Sequence, residues 1–167
     1  MNRKRFISQI GLMSLGLAVA PNTILGQDDR PAAYQKEVVQ KFVGASHGKI
    51  DVVKELLTEY PNLIYSKWDW GGGDFETGLG AASHVGNKAI ANLLIDKGAR
   101  INLFALTMLG KTKIVKSILK EYPQLMHSLG AHGFTLLHHA KRGGKEAAPL
   151  VAYFEKMGMS ELKVKLY

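Results

Sequence analysis

Beyond residue 34 the apolar positions of the chain fall at intervals of three and four, as in Val52, Val53, Leu56 and Leu57 and again in Ile114, Val115, Ile118 and Leu119. That spacing puts them on one side of an α-helix and predicts amphipathic helices rather than strands. Residues 50–66, IDVVKELLTEYPNLIYS, align with residues 112–128, TKIVKSILKEYPQLMHS, with eight of 17 positions identical. Pro61 and Pro123 cannot continue a helix, so each copy reads as a helix with a built-in stop. An amphipathic helix that recurs predicts a repeat unit, and Gly48, Gly86, Gly110 and Gly144, each just ahead of such a helix, give separations of 38, 24 and 34 residues.

Residues 133–144, GFTLLHHAKRGG, resemble the hairpin and first helix of an ankyrin repeat at Gly133, Thr135, Leu137, His138, Ala140 and Gly144, with Leu136 where proline is usual. Residues 77–102 resemble it again in Thr77, Leu79, Ala82, Gly86, Leu93, Leu94, Gly98, Ala99 and Asn102. The chain is thus similar to small exported bacterial ankyrin-repeat proteins. The resemblance implies an all-α solenoid of about four helix-turn-helix units over residues 34–158, joined by hairpin loops. It further implies a binding module that meets another protein through its hairpin tips and the ends of its first helices. In that frame His138 is the structural hairpin histidine.

Two fingers depart from the pattern. The first connection, residues 66–76, is about five residues too long and carries Trp68, Asp69, Trp70, three glycines, Asp74, Phe75 and Glu76. The second is about nine short, Asn102 running almost directly into the next helix. Trp68, Trp70 and Phe75 have the character of interface anchors, or else they fold back over the gap left by the short finger. Asp69, Asp74 and Glu76 lack EF-hand spacing and are expected to be solvated acids, facing a basic partner at most. Met108 and Leu109 at the gap, with His84, His132 and Phe134 on the concave side, complete the expected partner surface. His47, His84 and His132 fall on one side of the array, where ordinary surface histidines are the favoured reading.

The N-terminus, with Arg3, Lys4 and Arg5 ahead of an apolar run from Ile10 to Ala20, has the layout of an export signal. Expected boundaries are a twin-arginine-like or Sec signal at 1–26, a linker at 27–33 and a tail at 159–167. The expected location is the periplasm or outside the cell, the cytoplasm being the alternative, with no stable membrane anchor after signal removal. The whole chain carries 22 basic and 14 acidic residues, but without the signal the balance is 19 to 14, a net +5. That bias is mild and spread along helices, which argues against nucleic acid. Cysteine is absent, which excludes disulfides, thiolate nucleophiles and thiolate-bound zinc. Residues 105–112, ALTMLGKT, mimic a phosphate loop but lack the preceding strand and small residues it needs. Neither catalysis nor a cofactor is expected. The rival is a small metal-dependent or hydrolytic enzyme, and three of His47, Asp74, Glu76, His84 and His132 meeting in one pocket would favour it.

Overall fold

The computed structural model describes residues 31–167. The expected signal at 1–26 and linker residues 27–30 lie outside that range. The described chain is mostly helical. Its α-helices form four successive pairs: α1 (Lys36–Ala45) with α2 (Ile50–Glu59), α3 (Gly78–Val85) with α4 (Lys88–Asp96), α5 (Leu103–Met108) with α6 (Thr112–Glu121), and α7 (Leu136–Arg142) with α8 (Ala148–Lys156). The first helix of each pair packs on the first helix of the next.

The aligned segments adopt the same local structure. After α2 and α6 the backbone straightens at Tyr60 (φ −128°, ψ 74°) and Tyr122 (φ −125°, ψ 73°), as the residue before a proline must. Each proline then opens a 3₁₀ turn, Pro61–Tyr65 and Pro123–His127. Ser66 and Ser128 close these turns by donating their hydroxyls to the carbonyls of Leu63 and Leu125, both at 2.7 Å. Elsewhere the side chains of Thr77, Asn87, Asn102 and Thr135 cap the helices that follow them, each accepting a backbone N–H from the first turn.

Two apolar clusters hold the pairs together. Phe42, Val53, Leu63, Ile90 and Leu94 anchor the first, and Leu119, Leu136, Leu137, Leu150 and Phe154 the second. The only strands among the described residues lie between the first two pairs, where β1 (Lys67–Asp69) and β2 (Phe75–Thr77) form an antiparallel hairpin with Trp68 opposite Glu76. Gly71, Gly72 and Gly73 turn it with φ of 128°, 62° and 87°, angles that side-chain-bearing residues avoid. Asp69 fastens the turn by accepting the N–H groups of Gly71 and Gly73.

No hairpin joins α4 to α5, and α5 spans only six residues. As a result α3 touches α7 as well as α5. The β-hairpin therefore stands next to the 3₁₀ turn Ala131–Gly133. His138 ties the two regions by a ring-nitrogen hydrogen bond to the His84 carbonyl at 2.9 Å. Residues 159–167 are held along this turn: the Val164 N–H donates to the Gly133 carbonyl at 2.9 Å, and the Thr135 hydroxyl to the Glu161 carbonyl at 2.8 Å. The approach is so close that a Cβ on Gly133, whose φ is +76°, would collide with the Val164 carbonyl. Among the described residues no helix is long and apolar enough to cross a membrane.

Candidate metal centre

Four side chains from four parts of the fold converge on one point. His47 follows the end of α1, Glu76 lies mid-strand in β2, His84 is in the last turn of α3, and His132 sits in the turn before α7. One donor atom from each lies within 4.8 Å of every other. The Glu76 carboxylate is at the centre: its Oε1 is 2.8 Å from His84 Nδ1, and its Oε2 is 3.5 Å from His47 Nε2 and 3.6 Å from His132 Nε2. A metal ion held at about 2.1 Å by each donor would set neighbouring donors roughly 3 to 3.5 Å apart.

The remaining ring nitrogens are already committed. Nδ1 of His132 lies 2.6 Å from Asp74 Oδ2, and Nδ1 of His47 lies 3.1 Å from the Gly44 carbonyl. A carboxylate and a carbonyl only accept, so in both rings Nδ1 carries a hydrogen and Nε2 is the atom that faces the cluster. Histidine held from behind by an oxygen acceptor is the usual arrangement around protein-bound metals. The Trp70 indole N–H likewise orients Glu76, donating to Oε2 at 2.8 Å.

His84 Nδ1 and Glu76 Oε1 differ from the other donors. They approach to 2.8 Å, yet they are not aligned as donor and acceptor, and both are buried without a hydrogen-bond partner. The Glu76 side chain has no exposure at all. Leaving a buried carboxylate oxygen unpaired costs several kcal/mol in an apolar surrounding, which makes this pair the feature of the cluster that most needs an explanation.

His132 also carries strained backbone. Its φ of 60° makes it the one non-glycine residue with positive φ among those described, a conformation costing of order 1 kcal/mol. Asp74 offsets that cost by gripping the residue twice, accepting the His132 backbone N–H through Oδ1 at 2.7 Å as well as its ring. The two rings of His47 and His132 are partly exposed and flank Trp70, at centroid distances of 6.3 and 6.0 Å. The cluster therefore meets solvent beneath the indole.

Several expectations from sequence need correction. Asp74 and Glu76 are buried, not solvated: Asp74 is hydrogen-bonded to His132, and Glu76 lies at the centre of three histidine rings with Oε2 accepting the Trp70 indole N–H; of the three acids only Asp69 remains exposed. His84 is buried and packs edge-on against His47 and His132, at 4.9 and 5.2 Å, so these three are not ordinary surface histidines. Met108 has no exposed surface, the short α5 turning it into the core, and cannot meet a partner; Leu109 is half-buried against the same core. Phe134 is stacked on His138 at 3.9 Å and covered on another side by the Lys163 ammonium.

The long finger is divided. Trp68 folds onto the core, Trp70 is 39% exposed over the cluster, and Phe75 is 57% exposed. His138 and His139 stand apart from the cluster as structural groups. Burial pushes both rings below the usual histidine range, His139 to about 4.

The site thus contains the three histidines and two acids whose convergence separates the rival readings. His47 is placed by sequence with His84 and His132 on one side of the array but outside the expected partner surface. Its signal is positional: His47-Gly48 and His84-Val85-Gly86 close successive first helices. The orienting roles of Trp70 and Asp74 have no sequence signature, since they depend on the hairpin register and on the absence of a hairpin between α4 and α5. No family model, curated protein or solved structure matches the chain, so its own geometry carries the functional argument.

Proposed function

We propose that this chain is an ankyrin-type repeat domain that holds one divalent transition-metal ion between His47, Glu76, His84 and His132. Four stacked helix pairs, the duplicated helix-and-proline segments and the His138 bridge support the repeat assignment. The observation that carries the metal reading is the buried, mutually unpartnered pair of Glu76 Oε1 and His84 Nδ1. Three imidazoles and one carboxylate suit zinc, iron, nickel or copper rather than magnesium or calcium, which prefer all-oxygen shells. Such an ion would act as a Lewis acid, lowering the pKa of a bound water or polarising a bound oxygen. The export-type N-terminus fits a role in the cell envelope.

Titration calorimetry on untagged, chelator-stripped protein tests this. Zinc is expected to bind once per chain with sub-micromolar Kd; absence of a stoichiometric site would refute the reading. A second reading, a surface for another protein, rests on the exposure of Phe75 and Trp70 at the finger, and it predicts a partner captured equally by metal-free and metal-loaded chains.

A further inference from the structure

The duplicated segments enclose different spaces. After α4 and after α8 the chain leaves the helix by the same turn, through Lys97 and Gly98 (φ +92°) in one and Met157 and Gly158 (φ +86°) in the other, and the N–H groups of Ala99 and Met159 donate to the carbonyls of Leu94 and Phe154. The 3₁₀ turn of the preceding pair lies beside each exit. At the first, Tyr65 reaches to Gly98 with the Arg100 guanidinium 5.1 Å from its ring, and a hollow of only about 150 Å³ remains beside Ile64 and Lys97. At the second, the equivalents of Tyr65 and Arg100 are the shorter His127 and Ser160, and the space opens to about 390 Å³. The remaining differences there are all to methionine: Ile64, Lys97 and Ala99 correspond to Met126, Met157 and Met159, and all three line the enlarged hollow beside His127. Of the four methionines among the described residues only Met108 lies elsewhere, enclosed in the first apolar cluster. Core packing does not call for Met157, which stands where the first copy has a lysine and is 57% exposed.

We infer that this hollow binds copper(I) through the sulfurs of Met126, Met157 and Met159, with the His127 imidazole as a fourth donor. Thioethers are soft, neutral ligands that select copper(I) over zinc and over hard cations. The chain has no cysteine, so methionine supplies its only sulfur donors. Met126 is buried in the second apolar cluster and Met159 packs against it, which makes these two the fixed wall of the site. Met157 and His127 are exposed on the other side. The hollow is wider than a bare ion requires, and the three rotatable bonds of a methionine side chain let Met157 close over the ion. Neutral donors leave the single positive charge of copper(I) uncompensated, and Glu161 at the rim supplies the matching acid. None of these residues belongs to the cluster of His47, Glu76, His84 and His132, so the inference stands apart from the metal reading there.

Methyl NMR of the full chain with isotope-labelled methionine methyl groups tests this, because it reports on the donor side chains themselves. Copper(I) is titrated in the absence of oxygen, with one equivalent of zinc present throughout to occupy the histidine cluster. The first equivalent of copper(I) is expected to move the methyl signals of Met126, Met157 and Met159 and to leave that of Met108 in place. Replacing two donors together, Met157→Leu with Met159→Leu, keeps the apolar volume and removes two sulfurs. The double variant is expected to lose about 100-fold or more in copper(I) affinity, measured by competition with a chromophoric copper(I) chelator, since even the outer partners of a metal site cost up to roughly that much. Signals of the three methionines that stay in place at one equivalent overturn the inference in the native chain itself. A double variant that competes for copper(I) as well as the native chain overturns it too, and places the ion at other residues.

Discussion

Glu76→Gln is expected to abolish the stabilisation that zinc gives the native chain. The amide preserves size and can still accept the Trp70 indole N–H, but it removes the negative charge at the centre of the cluster. Loss of a metal-ligating carboxylate should weaken affinity by at least the roughly 100-fold that loss of an outer-shell partner can cost. With zinc at about 100 times the native Kd, the native chain gains about 2.7 kcal/mol, whereas the variant at the same concentration gains less than about 0.5 kcal/mol. In a domain of this size the native gain corresponds to a rise of about 10 °C in Tm. Without metal the variant should be no less stable than the native protein, since Glu76 Oε1 has no partner to lose. Equal zinc shifts in the two proteins would place any bound metal elsewhere.

His139 is expected to make the metal-free domain acid-sensitive. The ring is buried with its Nδ1–H donating to the Thr135 carbonyl at 2.8 Å, and burial lowers its pKa from 6.5 to about 4. Between those values the unfolded chain binds the proton that the folded chain refuses. The stability tied to the neutral ring is therefore complete above about pH 6.5 and declines as pH falls towards 4, by roughly 3 kcal/mol in all. Urea unfolding of native protein and His139→Gln, with chelator present, should show a steeper acid loss in the native chain by about 2 kcal/mol between pH 7 and pH 5. Parallel pH curves would mean that His139 protonates freely in the folded state.

The helices were legible in the sequence because their signals are local. Apolar spacing, the two prolines and the capping residues Thr77, Asn102 and Thr135 each act within a turn or two of chain. The duplicated segment 50–66 and 112–128 likewise repeats its structure down to the serine that closes each turn. The site was legible only in its parts. Asp74 and Glu76 read as solvated because nothing near them in sequence neutralises them; their partner His132 is 58 and 56 residues away and reaches them only because the third helix pair lacks a finger. Met108 read as exposed at that gap for the opposite reason: the gap is closed from beyond by α7 and the turn at Gly143, whose position the local pattern does not encode. Sequence spacing located the irregular junction, but which side chains face inward there is a property of the stacking.

Anomalous diffraction tests the central claim most directly. Crystals of the untagged chain soaked in zinc, measured on both sides of the zinc absorption edge, should give one strong anomalous peak per chain. It should lie about 2.0 to 2.2 Å from Nε2 of His47, Nε2 of His132, Nδ1 of His84 and a Glu76 carboxylate oxygen. A peak confined to surface residues, or none at that position while Glu76 and His84 keep their 2.8 Å approach, would contradict the assignment of this cluster as a metal centre.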